Sequence, residues 1–174
     1  MSAAVHLDSA RVLDVLAAVT AGARNPAPLY KAIGEDLVAS TKDRFATSTA
    51  PDGSRWAPNS QATFEAYLAR FSNTTRKDGR LNTKGAGVVM GKRPLVGQSR
   101  QLAQQIFYQV TGNGLEIGSP MEYAAMQQFG GTKADFPHLW GDIPARPYLG
   151  LSSQDEDAIV SEALGYLDGL FGQS

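Results

Sequence analysis

Apolar residues recur along this chain with two periods, and the changes of period mark its elements. Over 29–46, the residues Leu29, Ile33, Leu37, Val38 and Phe45 repeat at the spacing of one buried helical face. Lys31, Glu35, Lys42 and Asp43 fall between them, on the solvated side. An earlier helix is predicted from Asp8 or Ser9 to about residue 21, with Val12, Val15, Leu16 and Val19 as its stripe. Asn25-Pro26-Ala27-Pro28 breaks it. Pro51-Asp52-Gly53 reads as a turn, since proline presets φ and glycine permits a positive one. Trp56 is expected to pack back on the preceding helix, and Asn59 or Ser60 to open a third, short helix to about residue 70.

Further along, the period drops to two. Segments 105–110 and 115–118 read as antiparallel strands around the turn Thr111-Gly112-Asn113-Gly114. Ser119-Pro120-Met121-Glu122 has the form of a capping box with proline at the first helical position. It predicts two helical turns carrying Tyr123, Met126, Gln127 and Phe129, stopped by Gly130-Gly131. Pro144 and Pro147 hold Ala145-Arg146 extended, which is expected to place that segment at a sheet edge or an interface. A second capping box, Ser153 with Glu156, opens a last helix with Val160, Leu164, Leu167 and Phe171 aligned. The order predicts an α+β fold: N-terminal helices packed on an antiparallel sheet, a long loop or hairpin, and a C-terminal helix.

Composition narrows the classes. The 174 residues suffice for one domain, expected over 1–174, with 1–27 as an N-terminal helical extension. A net charge of −1 gives no global field for nucleic acid, and zero cysteines exclude a disulfide framework. The apolar run 12–19 is interrupted by Asp14 and follows no basic region, so no signal peptide and no membrane span is expected, and the chain reads as a soluble product of the cytoplasm. Charge is distributed unevenly. From Arg70 to Arg100 lie eight of the sixteen basic residues against the single acid Asp78, and after Arg146 there are five acids and no lysine or arginine. Segment 72–93 is therefore expected to be a mobile basic loop.

Candidate chemistry is sparse. Gly85 to Arg93 misses both the dinucleotide and the P-loop spacing, and Arg93 stands where a magnesium-holding hydroxyl belongs. His6 and His138 are the only histidines, too few for a zinc set, and no G-x-S-x-G elbow exists. Asp155, Glu156 and Asp157 are explained by a helix start, where acids favour the dipole. Arg146 has two readings, a local ion pair that fixes the fold or a bidentate contact across a subunit boundary, and the sequence leaves both open. No catalytic residue, metal ligand or cofactor is assigned, and the chain is not expected to be an enzyme.

Two runs, YAAMQQFGGT and IPARPYLGLS, followed by the C-terminal helix, resemble the phage virion morphogenesis family, the tail-completion proteins of Mu-like and related tailed phages. PDGSRWAP is similar to that family's turn after a long helix, and the likeness covers about 29–170. Tyr148 replaces the family's usual phenylalanine, and Gln127 stands where histidine or glutamate is common. The resemblance implies a structural subunit of the head–tail junction or tail end, which forms a homo-oligomeric ring, expected to be hexameric, and completes the tail or neck. Its partners would be further copies and other neck, connector or tail-terminator proteins. On this reading Tyr123, Phe129, Arg146 and Tyr148 are subunit-interface candidates. Arg76, Lys77, Arg80, Lys84, Lys92 and Arg93 are candidates for contact with a neighbour, or with DNA in the lumen without sequence preference. A nucleic-acid-binding protein and an assembly chaperone that leaves before maturation are the alternatives.

Overall fold

The computed structural model describes residues 3–5, 10, 12–13, 26–97, 99–112, 114–139 and 141–171. Its longest element is α1, Ala27–Thr47, and the periodic face read from the sequence is the one it buries: Leu29, Ile33, Leu37 and Phe45 are all enclosed. Pro28 sits in the first turn, where a missing amide costs no hydrogen bond. Of the stripe predicted for an earlier helix, Val12 is buried, while Val15, Leu16, Val19 and the Asp8 or Ser9 cap lie outside the described residues.

Strands β1 (Ala3–Val5), β2 (Phe107–Thr111) and β3 (Gly114–Ser119) form an antiparallel sheet in the order β1-β3-β2. The hairpin pairs Thr111 with Gly114 and Tyr108 with Ile117, as the alternation predicts, and β1 adds an edge that no sequence signal announced. Helix α1 lies between this sheet and the C-terminal helix α6, Ser153–Phe171. It crosses β2 at Gly34. A Cβ there would stand 2.5 Å from the Tyr108 ring, so the glycine that weakens the helix interior is what lets helix and strand approach.

Short helices complete the domain: α2 (Gln61–Leu68), α3 (Thr83–Gly91), α4 (Gln101–Gln104) and α5 (Ala124–Phe129). Ser60 caps α2 by accepting from the Thr63 amide at 3.3 Å. Segment 72–93, expected as a loop, instead carries a bridge between Thr75 and Leu81 and the helix α3. Its high glycine content argued against a helix, but the Asn82 side chain caps α3 by accepting from the Gly85 amide at 2.9 Å. The turn before α3 repeats the one after α1. In each, an aspartate (Asp52 or Asp78) accepts from the amide two residues on, and a glycine follows at φ 81° or 82°.

Neither expected capping box forms where it was read: the first is absent and the second is displaced. Ser119 ends β3, wholly buried, and α5 begins only at Ala124 with Tyr123 at its N-cap and no side-chain cap. At α6 the box forms one residue early. The Ser152 hydroxyl accepts from the Asp155 amide at 3.2 Å, and the Asp155 carboxylate accepts from the Ser152 amide at 2.7 Å. The buried face also differs from the expected stripe. Ile159 and Ala163 face the core, and Leu164, expected on the buried stripe, is 54% exposed.

Candidate assembly surface

Three separate sequence runs, one of them some 65 residues before the other two, meet at one place. Gln128, on the inner side of α5, holds the backbone of the proline-bracketed run. Its Oε1 accepts from the amides of Tyr148 and Leu149 at 2.9 and 3.0 Å, and its Nε2 donates to the Leu149 carbonyl at 3.0 Å. The Gln127 carbonyl accepts from the Arg146 amide at 2.8 Å. These bonds supply what a sheet ladder would, which is how a segment with two prolines is buried without strand pairing. Gly130 completes the fit at φ 73°, where a Cβ would stand 2.7 Å from the Ala145 nitrogen.

The turn after α1 locks the other side. Trp56 packs edge-on against Phe45, ring centroids 5.4 Å apart, and its Nε1 donates to the Pro147 carbonyl at 2.7 Å. Tyr148 is fully enclosed, 5.3 Å from the Phe45 ring, and its hydroxyl donates to the Ala124 carbonyl at 3.2 Å. Burial, with a smaller contribution from Tyr123, pushes its phenol above the ordinary value. Arg146 donates from Nε to the Ala57 carbonyl at 2.8 Å and from Nη2 to the Pro58 carbonyl at 2.9 Å. The expected edge patch of Arg146 and Tyr148 therefore gives way to a correction: both are buried in the subunit's own interior. The residues alternate, but the segment is walled on both sides, by α5 and by the turn.

Arg44 is a key residue that sequence reasoning did not single out. It is buried on α1 and pairs with Asp155 of α6. Its Nη1 donates to the carbonyls of Tyr148 and Gly150, each at 2.9 Å. Burial pulls the Arg44 guanidinium below its ordinary value while Asp155 pushes back. For Asp155, burial acts to raise the carboxyl, and hydrogen bonds from Ser152 and Ser40 with the Arg44 charge outweigh it, leaving it lowered. Asp155 is thus a structural ion-pair partner as well as a helix-start acid. An arginine in the last turn, followed by bare backbone turns, was the only available sign.

The other two interface candidates face outward. Tyr123 is 42% and Phe129 63% exposed, at either end of α5, while Ala124 and Gln128 between them are buried. The six basic candidates divide. Lys84 donates to the Ser72 carbonyl at 2.7 Å, Lys92 to that of Val96 at 2.6 Å, and Arg93 to that of Ala46 at 2.7 Å. Arg76, Lys77 and Arg80 are exposed on the turn before α3.

An open groove adjoins Tyr123. It consists of two connected hollows of about 720 and 670 Å³, which share Ser60, Thr63, Lys92, Gly97, Asp142 and Ile143. One wall is α2, none of whose residues is buried. Arg70, Lys92 and Arg146 supply positive charge along it, and Asp142 is the acid among its lining residues. No described helix is long and apolar enough to cross a membrane.

The model of the phage virion morphogenesis family matches residues 7–168. Over 43 residues the chain is 51% identical to a protein of Escherichia phage Mu described as a putative capsid assembly protein G, a stretch that spans 25% of this chain and 27% of that relative. No solved structure matches. The chain belongs to the phage virion morphogenesis family, whose members act in virion assembly.

Proposed function

We propose that the protein is a structural subunit of the head–tail junction or tail end that forms a closed ring and completes the tail or neck. Its partners are further copies of itself, six to a ring, and a neck, connector or tail-terminator protein on each side. The observation that carries this reading is the two-sided construction of α5. Its inner face is fixed by Gln128 and Ala124, and its ends carry Tyr123 and Phe129 into solvent. Aromatic side chains on a rigid support are what an interface hot spot requires, because little entropy is lost when a partner covers them. The work done is geometric: each subunit offers one surface to the next, and the ring closes if the rotation closes.

The test is a Tyr123→Ala, Phe129→Ala double variant in a phage lacking its own copy. The expected outcome is folded protein with an unchanged melt and a loss of infectious particles by tenfold or more. Wild-type yields would remove α5 from the assembly surface. A second reading gives Arg76, Lys77 and Arg80 a role against DNA in the lumen, favoured by their exposure at one turn tip. Phosphate contacts of this kind would make retention of DNA by the purified chain steeply salt-dependent.

A further inference from the structure

We propose that the groove beside α2 receives the outer face of α6 from a second copy of this chain. The inference rests on the ring reading and names the two surfaces that meet in it.

The groove is built for an amphipathic occupant. Ala62 and Ala66 present small exposed side chains along α2, and Leu139 and Ile143 line the opposite side. Small residues let a helix approach closely, and an eight-residue wall offers it about 12 Å of length. The charge along it is one-sided. Arg70, Lys92 and Arg146 converge, and the Asp142 carboxylate already accepts from the Lys133 amide at 2.8 Å. Lys92 is held below its ordinary value by burial first and then by the charges of Arg146 and Arg70. That positive field lacks an anionic counterpart among the groove's other lining residues.

The outer face of α6 has the opposite character. Ser161, Leu164, Gly165 and Asp168 are exposed at helical spacing, with Glu162 beside them, and the helix contains no lysine or arginine. Leu164 is a large apolar side chain in solvent, between small neighbours and flanked by acids. An apolar knob with an acidic border matches an apolar trough with a basic border.

Geometry assigns the contact to two different copies. Asp155 meets Arg44 near the end of α1, and Ile159 and Glu162 lie beside Ile33, Asp36 and Leu37, so α6 runs back along α1. Asp168 lies ~20 Å from Asp155 along the helix at 1.5 Å per residue. The groove sits at the other end, where Arg93 and Arg146 bond the carbonyls of Ala46, Ala57 and Pro58. A subunit cannot fill its own groove. The pairing is heterologous, as a ring needs.

The chain is free of cysteine, which makes a clean test. Ala66→Cys and Leu164→Cys are made as separate full-length variants at exposed positions, mixed, and oxidised, with melts to confirm folding. A disulfide-linked dimer is expected in the mixture at tenfold or more the yield of either variant alone. Arg70→Glu in the Ala66→Cys chain should cut that yield by about tenfold, and Asp168→Lys in its partner should recover it. Native mass spectrometry of the wild-type chain is run alongside. Oligomers without the mixed disulfide overturn this pairing and leave the ring reading standing, whereas a monomer without the disulfide overturns both. If Arg70→Glu spares the disulfide yet abolishes retention on DNA, the groove's charge serves nucleic acid and the charge match between groove and helix is overturned.

Discussion

Arg44 and Asp155 join the end of α1 to the start of α6, and what they do follows from their burial. Removing one member of a buried pair strands the other, at a cost of about 3–5 kcal/mol. Asp155→Ala is therefore expected to lower stability by that order in denaturant melts, and Arg44→Met with Asp155→Leu to lose less than the single change. The lowered carboxyl also sets a sign with pH. Its contribution is fully present above the unfolded value of about 3.9 and is lost as pH falls through the folded value below that. Acid unfolding of wild type should be steeper in that range than that of Asp155→Asn; equal profiles would show that the pair contributes nothing. Tyr148 gives a second residue-scale expectation. Tyr148→Phe removes only the bond to the Ala124 carbonyl, worth about 1 kcal/mol, while Tyr148→Ala opens a core cavity worth about 3–5 kcal/mol. Both should appear in melts, as they would not if Tyr148 lay at the surface.

At the scale of elements, local sequence signals were strongest where the structure is local. The α1 stripe, the turn at Gly53, the Ser60 cap and the hairpin follow from period and turn chemistry, and the structure has each of them. The failures have tertiary causes. Ser152 and Ser153 are equally able to cap, and what selects Ser152 is that Asp155 must turn inward to Arg44. Ser152→Ala is accordingly expected to cost about 1 kcal/mol and Ser153→Ala almost nothing, by thermal melts of the two variants side by side. The reverse order would restore the box first read from the sequence. The proline-bracketed run was legible as extended, but its burial depends on Gln128, and no periodicity says that a glutamine will replace a ladder.

For the whole molecule, the α+β class was legible from the order of predicted elements, and the family from three runs in a fixed order. Which of their residues face outward was not. Arg146 and Tyr148 have the chemistry of an interface, yet they fix the subunit, while Tyr123 and Phe129 remain outside. The same holds for the basic stretch, half of whose candidates are spent on carbonyls of the fold. What is left exposed is a groove with one charge, a helix face with the other, and an aromatic at each end of α5. Native mass spectrometry of the purified full-length chain tests the central claim most directly. One closed species of fixed copy number, six, is expected across a wide range of protein concentration. A monomer throughout, or an open-ended series of sizes, would contradict it.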